Sequence, residues 1–297
     1  MKRHAYLIIA HQHFDMLKNL IRALDSENAD FYIHIDRRAK NVPMQEILDA
    51  REKSGVRIFR KYRISWGADT QVRCEMLLLG EAVKKKYDCY HLLSGADIPL
   101  KKREEIEAFF EARDGSFIEF VKHQDAEAPE RSRYYYPLQN LMGRPKKNAG
   151  FVYGLMDQIS YELVKLQKLL NIDRTRHAPF TYLRGSQWFS ISHELAAYVT
   201  GNEALVRRYF YCALASDETF MQSVAMASPY RDQIEKNNLR LIDWQRTEHG
   251  GCSPHTFTMA DWDMLTSSDR LFARKFDPNI DREIIDALYT RVLQNSD

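Results

Sequence analysis

Four short segments of the chain place polar or charged side chains beside apolar runs. Leu93-Ser-Gly-Ala-Asp97 ends one such run with a carboxylate, and Gly185-Ser-Gln-Trp188 begins another. Ser216-Asp217-Glu218 contains two neighbouring acids, and Arg274-Lys275 places two cations inside a third run. A carboxylate can remove a proton from a hydroxyl, and buried cations require an anion. We therefore take these segments as the candidate functional residues.

Each charged pair also has a structural explanation. Ser216 can cap a helix, and acids such as Asp217 and Glu218 are favourable at the positive end of a helix. Neighbouring residues of a strand point to opposite faces, so one of Arg274 and Lys275 could lie on the surface. Both alternatives stay open at this point.

Other common catalytic patterns are absent from the sequence. It contains no GxGxxG, no GxxxxGK[ST] and no GxSxG, so dinucleotide-binding, ATP-phosphate and serine-hydrolase assignments lose their main support. The DxD sequence Asp261-Trp-Asp263 lies in a helical pattern and does not follow a strand, so we do not expect a metal there. The four cysteines are far apart in sequence, which favours buried apolar roles over a disulfide framework.

The composition is that of an ordinary folded protein. Lys and Arg number 43 against 41 Asp and Glu, a net charge of +2, which argues against a nucleic-acid partner. The first apolar run, residues 5–10, is too short for a signal-peptide core or a membrane span. We therefore expect a cytoplasmic location.

Strand and helix patterns alternate through residues 1–121, which predicts βαβ units and a largely parallel sheet. In such a sheet, functional groups gather at the carboxyl ends of the strands. The predicted strands cover residues 5–10, 31–36, 56–59, 89–93 and 116–121. The predicted helices cover residues 14–24, 44–53, 68–86 and 101–113.

The alternation weakens between residues 122 and 184, where one helix is predicted over 157–170. This stretch is either an insertion that forms an acceptor groove or a surface excursion without a ligand. The pattern resumes in residues 185–297. Its predicted strands cover 185–191, 238–244 and 271–276, and its predicted helices cover 193–199, 217–227 and 281–293. We expect a single α/β domain made of these three parts.

The sequence resembles the core-2/I-branching N-acetylglucosaminyltransferase and peptide O-xylosyltransferase family, glycosyltransferase family 14. The resemblance runs from about Tyr6 to Ala287 and depends on seven segments in the same order. They are Ala10-His11, His34-Ile-Asp36, Trp66-Gly67, His91-Leu-Leu-Ser-Gly-Ala-Asp-Ile-Pro-Leu100, Gly185-Ser-Gln-Trp-Phe-Ser-Ile-Ser192, Asp217-Glu-Thr-Phe-Met-Gln-Ser223 with Ser228-Pro229, and Leu271-Phe-Ala-Arg-Lys-Phe-Asp277. Gly251-Cys-Ser-Pro254 is similar to the xylosyltransferase branch.

The resemblance implies a GT-A-type fold, with residues 1–121 as the nucleotide-binding half and 185–297 as the catalytic half. It implies an inverting transfer from a UDP-sugar, GlcNAc or xylose, to a glycan hydroxyl. Glu218 matches the catalytic base. Arg274 and Lys275 match the residues that hold the diphosphate, so no metal is required.

The remaining site assignments also come from the resemblance. It places His11, Asp36 and Trp66 at the nucleotide, and Asp97, Gln187, Trp188, Asp217 and Trp244 near the donor and acceptor sugars. For Trp188 a core role is equally open. For Trp66 and Trp244 packing is the favoured role.

Two other functions stay open. The protein could bind nucleotide-sugars or glycans without turnover, or it could be a retaining or metal-dependent transferase. The expected partners are a UDP-sugar and a glycan acceptor, with no nucleic acid. A lipid-linked acceptor would bring peripheral association with the inner face of a membrane. The sequence does not indicate the oligomeric state.

Overall fold

The computed structural model describes residues 1–121, 127–143, 150–246 and 252–294. The strands are β1 (His4–Ala10), β2 (Ala29–Ile35), β3 (Gly55–Phe59), β4 (Cys89–Ser94), β5 (Ile98–Pro99), β6 (Ser116–Ile118), β7 (Phe189–Ser192), β8 (Ile234–Glu235), β9 (Arg240–Ile242), β10 (Trp244–Arg246), β11 (Cys252–Pro254) and β12 (Phe272–Arg274). The helices are α1 (Phe14–Leu24), α2 (Met44–Leu48), α3 (Thr70–Val83), α4 (Arg103–Glu111), α5 (Glu127–Arg133), α6 (Gln139–Met142), α7 (Phe151–Leu169), α8 (His193–Gly201), α9 (Glu203–Phe210), α10 (Phe220–Met226), α11 (Trp262–Ser267) and α12 (Arg282–Leu293).

A seven-stranded sheet in the order β3-β2-β1-β4-β7-β6-β8 lies at the centre of the fold. Its strands pair in parallel except where β7 runs antiparallel to β4 and β6. A second sheet, β5-β12-β9, and the hairpin β10-β11 complete the strands. The predicted α/β fold with a mostly parallel central sheet is confirmed. Because β4 pairs with β7, the first and third predicted parts of the chain share one sheet.

The alternation of side chains along β1 explains how both faces of the sheet are covered. Tyr6 and Ile8 belong to the apolar cluster that includes α1 and α4, whereas Leu7 belongs to the cluster that includes α3 and α8. Consecutive residues of a strand point to opposite faces, and both faces here are buried. The apolar sequence of β1 therefore predicts its central position correctly.

Several predicted elements are shorter than expected or are divided, because hydrogen bonds redirect the backbone. The predicted helix over 44–53 stops at Leu48, since the Asp25 carboxylate accepts hydrogen bonds from the backbone N–H groups of Glu52, Lys53 and Ser54. The predicted strand over 238–244 is divided between β9 and β10, because the Asp243 carbonyl accepts from the backbone N–H of residue 255.

Two further corrections concern the candidate site. The predicted strand over 185–191 begins only at Phe189, because the Gly185 N–H donates to the Glu218 carbonyl at 2.9 Å. The predicted helix over 217–227 is interrupted, with a 3-10 turn at Ser216–Glu218 before α10. Thr219 donates both its backbone N–H and its hydroxyl to the Ser216 carbonyl, at 3.1 Å each, which tightens this turn.

Residues 127–143 and 150–169 hold three helices, α5, α6 and α7, where the sequence predicts one. The helix predicted over 157–170 is α7, which begins six residues earlier. Cys74 and Cys89 are buried, as predicted, whereas Cys212 is only half-buried, so the prediction is wrong for that residue. The side chain of Cys252 lies outside the described part of the structure. No helix among the described residues has the length and apolar character needed to cross a lipid bilayer.

Arg240 joins the second sheet, β5-β12-β9, to the central sheet. From β9 its buried guanidinium donates to the Leu92 carbonyl at 3.0 Å, the Phe189 carbonyl at 2.8 Å and the Ser190 hydroxyl at 2.8 Å. A buried acceptor that loses its donor keeps the full desolvation cost.

We expect Arg240→Met to lower the free energy of unfolding by about 3 kcal/mol, because it strands three buried acceptors. Urea unfolding followed by circular dichroism measures this. Arg231→Met, on the exposed surface, is the matched control. A loss no larger than that of the control would mean that Arg240 does not hold the two sheets together.

Candidate active site

The two neighbouring acids lie in a turn that is anchored on both sides. The Ala215 N–H donates to the Gly67 carbonyl at 2.8 Å, and the Glu218 carbonyl accepts from the Gly185 N–H. A Cβ at Gly185 would lie 1.8 Å from the Glu119 carbonyl oxygen, so this close approach requires glycine. The turn is therefore fixed against two segments that the sequence singles out, Trp66-Gly67 and Gly185–Trp188.

Glu218 is the accessible acid of the pair. Its side chain is 38% exposed, and its Oε2 accepts a hydrogen bond from Nη1 of Arg131 at 2.6 Å. Arg131 lies on α5, so the insertion supplies a cation to the acid. A carboxylate that is reachable from solvent and held in place by a cation has the position that a general base needs.

Asp217 points into a buried polar network. Its Oδ2 accepts from Nε2 of Gln71 at 2.9 Å, and the same Nε2 lies 3.2 Å from Oε1 of Gln187. Nε2 of Gln187 then donates to Oε1 of Glu75 at 2.8 Å. Glu75 lies on α3 and is fully buried. The network thus links two carboxyl groups through two amides.

The two carboxyl groups of this network resist ionisation. Burial, with the charge of Glu218 as a second cause, raises the pKa of Asp217 to about 7. Burial, and then Asp217, raises the pKa of Glu75 well above its usual range. Ser216 makes no side-chain capping bond, so the capping role considered for it is wrong, although Asp217 and Glu218 do lie in the first turn of the 3-10 segment.

The cationic end of the site is the guanidinium of Arg274. It lies over the Trp188 indole, with Cζ 4.0 Å from the ring centroid, and its Nε is 3.7 Å from Oδ1 of Asp97. The side chain is only 14% exposed. Within the described ranges, neither its Nε nor its Nη1 has a hydrogen-bond partner. Burial lowers the pKa of Arg274, although Asp97 opposes this.

Positive charge exceeds negative charge at this end of the site. Asp97 is fully buried and is held by the Ser94 N–H and hydroxyl, both at 2.9 Å. Arg240 is a second buried cation beside it, and burial lowers the pKa of Arg240 to about 9. Two buried guanidinium groups near one buried carboxyl group leave room for an anionic ligand. Lys275 follows Arg274 and is half-buried.

The predicted nucleotide residues lie where the strands end. Asp36 follows β2, and its carboxylate accepts from the Ile64 N–H at 2.8 Å and from Nη2 of Arg38 at 3.0 Å. His11 follows β1 and is exposed, and the Asp36 N–H donates to the Ala10 carbonyl at 2.9 Å. The carboxyl ends of β1 and β2 are therefore neighbours, as the sheet requires.

The three tryptophans have different surroundings. Trp188 is buried in the core, which is one of the roles considered for it, and its ring also lies against Arg274. Trp66 and Trp244 are 51% and 47% exposed, so the packing role favoured for them is wrong. Exposed indoles are suited to stacking on flat or apolar ligand faces.

The structure joins most of the predicted site into one series of contacts. Gln71 links Asp217 to Gln187 by hydrogen bonds, and Glu218 follows Asp217 in the chain. Trp188 follows Gln187, and its ring lies against the Arg274 guanidinium. Gln71, Glu75 and Arg240 were not predicted from the sequence, and Arg131 had no specific predicted role. Gln71 and Glu75 are four residues apart on α3, so they share a side of the helix, and this spacing was the available signal.

One other cluster has metal-ligand chemistry among the described residues. His4, Cys89 and His91 are buried within 4.8 Å of one another. They begin β1 and β4, at the opposite end of these strands from His11 and Asp97. Nδ1 of His4 and Nε2 of His91 are hydrogen-bonded at 3.0 Å, and burial lowers the pKa of His4 to about 4. His4 and His91 therefore form a neutral pair in the core, in which Nε2 of His4 has no hydrogen-bond partner among the described residues.

A model of the Core-2/I-Branching enzyme family matches residues 4–269. The chain belongs to this family. The resemblance stated from the seven sequence segments is thereby confirmed, and the family is one of glycosyltransferases.

Curated relatives cover almost the whole chain. Xylosyltransferase 2 of Canis lupus familiaris is 26% identical over 310 residues, which is 96% of this chain and 33% of that protein. Xylosyltransferase 1 of Pan troglodytes is 26% identical over 311 residues, 96% of this chain and 30% of that protein. The chain thus spans about a third of the length of these relatives. Among solved structures, apo mouse xyloside xylosyltransferase 1 matches 92% of this chain and 97% of its own, with a TM-score of 0.38 and 10% identity.

The raised pKa of Asp217 predicts a specific pH dependence of stability. An acid with a folded-state pKa above its unfolded value stabilises the fold at low pH, and this contribution is lost as pH rises from about 4 to about 7. We therefore expect Asp217→Asn, which keeps an acceptor for Gln71, to be about 2 kcal/mol more stable than the wild type at pH 8.

This advantage should shrink towards zero near pH 3, roughly one unit below the usual pKa of an Asp, where Asp217 is mostly protonated in both folded and unfolded chains. Urea unfolding at several pH values gives the comparison, with the exposed Asp232→Asn as control. An advantage that does not change with pH would show that Asp217 is not a titrating buried acid.

Proposed function

We propose that the protein is an inverting glycosyltransferase that moves a sugar from a UDP-sugar to a hydroxyl of a glycan acceptor. The observation that carries the proposal is the buried Arg274 guanidinium with unused donors, connected through Trp188 and Gln187 to the turn that presents Glu218. GlcNAc and xylose are the candidate sugars. The similarity to xylosyltransferases favours xylose.

Arg274 and Lys275 hold the diphosphate in this proposal. A guanidinium binds phosphate oxygens through two parallel donors, and an ammonium adds a point charge. Arg274 is already ordered by Trp188 and Asp97, so little reorganisation is needed when charge develops on the leaving UDP. The two cations supply the charge that other transferases obtain from a metal, so no metal is required.

Glu218 acts as the general base. The acceptor oxygen forms a bond to the anomeric carbon while the bond to the UDP oxygen breaks on the opposite side, which inverts the configuration. The acceptor proton passes to Glu218. Arg131 binds Oε2 of this carboxylate, so the other oxygen is the one that receives the proton. Asp217 beside it is buried and its pKa is raised, so Glu218 is the accessible base of the pair.

The remaining predicted residues bind the rest of the substrates. His11, Asp36 and Trp66 bind the nucleotide, with Trp66 offering an exposed ring for stacking. Gln187 and Trp244 contact the donor and acceptor sugars, and the buried Asp97, Trp188 and Asp217 support this part of the site through Arg274 and Gln71. We also propose that the protein works in the cytoplasm, at the inner face of the membrane, on a lipid-linked glycan.

Glu218→Gln should reduce UDP release in the presence of acceptor by at least about a thousandfold, because the amide cannot take the proton. UDP affinity should change less than about threefold. The assay is a donor screen with EDTA present, and Glu203→Gln, an exposed acid on α9, is the control.

Normal turnover of Glu218→Gln would reject the base. UDP binding without turnover in the wild type would favour a non-catalytic binding protein. Loss of all activity in EDTA, or a product that keeps the anomeric configuration of the donor, would favour the metal-dependent or retaining alternative.

Arg274→Ala should weaken UDP binding about a hundredfold, because the diphosphate loses a buried charge-assisted partner. Uridine binding, measured by the same calorimetric titration, should change little and serves as the control for folding. Equal losses for UDP and uridine would remove the phosphate role of Arg274.

A further inference from the structure

Seven exposed basic side chains lie on β3 and in the loops that follow β2 and β3. The segments that carry them, residues 36–40 and 57–63, contain a single acid, Asp36, whereas the whole chain has a net charge of only +2. The rest of the chain is therefore acidic on balance. The seven, which we call the basic surface, are Arg37, Arg38, Lys40, Arg57, Arg60, Lys61 and Arg63.

The two loops of the basic surface are bonded to each other. The Arg37 N–H donates to the Tyr62 carbonyl at 2.9 Å, and Nη2 of Arg60 donates to the Ala39 carbonyl at 2.8 Å. Because β2 and β3 pair in parallel, both loops leave the central sheet at the same edge. The cations of the two loops therefore act on the same region of solvent.

Most of this positive charge is not neutralised within the protein. Arg38 pairs with Asp36 and Arg57 pairs with Glu81, both at 3.0 Å. In the described part of the chain, the other five cations form no ion pair. Charges on an edge strand such as β3 prevent its pairing with another chain, but only Arg57 of the seven lies on that strand. The charge in the loops is instead suited to an anionic ligand.

The basic surface borders the candidate nucleotide site. Arg37 directly follows Asp36, and Arg63 lies three residues before Trp66. The Asp36 carboxylate accepts from the Ile64 N–H at 2.8 Å, so the two loops meet at this acid. The ligand that the surface serves is therefore one that reaches the ends of β1 and β2.

The surroundings of the basic surface favour a small anionic ligand over a lipid bilayer. No large apolar side chain is exposed in residues 36–40 or 57–63. A protein that lies on a membrane commonly combines positive charge with apolar side chains that enter the bilayer. The basic surface lacks such an anchor.

We propose that the basic surface attracts the UDP-sugar over a long range and so raises the rate at which it binds. Clustered charge of one sign accelerates the association of an oppositely charged ligand by about tenfold or more, and salt suppresses the effect. UDP carries negative charge on its diphosphate, whereas uridine is neutral, so only UDP should respond. This inference rests on the proposed function, since it takes a UDP-sugar as the donor.

The test is stopped-flow tryptophan fluorescence of UDP binding to the full chain, at ionic strengths of about 10 mM and about 1 M. For a variant that combines Arg37→Gln, Lys40→Gln and Arg63→Gln, we expect association to be about tenfold slower than in the wild type at about 10 mM. The rates should be equal at about 1 M, where charges are screened beyond about 3 Å. Dissociation should change less than about twofold.

The variant and its control should both fold. In the described ranges, the side chains of Arg37, Lys40 and Arg63 make no hydrogen bond or ion pair. The matched control combines Arg113→Gln, Arg231→Gln and Lys236→Gln, which removes three exposed cations near β6 and β8, at the other edge of the central sheet. The control should bind UDP at the wild-type rate, and all three proteins should bind uridine equally fast.

Three results would overturn the proposal: unchanged association of UDP with the basic-surface variant at about 10 mM, an equal loss in the control, or a loss caused only by faster dissociation. The last would mean that these side chains contact the nucleotide directly.

The donor screen separates this inference from the proposed function. If UDP binding depends on the basic surface but no transfer occurs, only the proposed catalysis fails. If transfer occurs but the association rate does not depend on the basic surface, only this inference fails. If UDP does not bind to the wild type, both fail.

Discussion

The site depends on a guanidinium that the fold buries without fully pairing. Arg274 lies on an indole, near one fully buried carboxyl group, and two of its nitrogens have no hydrogen-bond partner in the described part of the chain. Such an arrangement costs free energy in the free protein. Trp188 and Asp97 keep the side chain in place, and a diphosphate would supply the missing partner. A cation that a rigid sheet already holds in place can stabilise the charge of the leaving diphosphate without reorganisation.

Asp217 and Glu218 are adjacent acids, whose negative charges would repel each other. The fold places the two side chains in different surroundings. Asp217 is turned into a closed network with Gln71, Gln187 and Glu75, where burial opposes its ionisation. Glu218, the next residue, is partly exposed, and its carboxylate is bound by Arg131 of α5. Two adjacent carboxyl groups thereby acquire different surroundings, and of the two Glu218 is the one open to an acceptor.

Local patterns predicted the parts of the fold that local physics determines. The spacing of apolar residues gives α1 its observed bounds, and the apolar run of β1 predicts a strand buried on both faces. The Gly185 segment was predicted as a strand because nothing local shows that its N–H turns away to residue 218. Gln71 and Glu75 were missed for the same reason, since their partners lie more than a hundred positions away. The resemblance supplied Arg274, but only the structure shows that its donors are unused.

The most direct test of the central claim is an NMR titration of the Arg274 side chain in the wild-type protein. Its Nε–Hε resonance can be assigned by its loss in Arg274→Lys. We predict that UDP shifts this resonance and slows its exchange with water, because a phosphate oxygen becomes its partner, and that uridine leaves it unchanged. An Arg274 signal that does not respond to UDP, or that responds equally to uridine, would contradict the account.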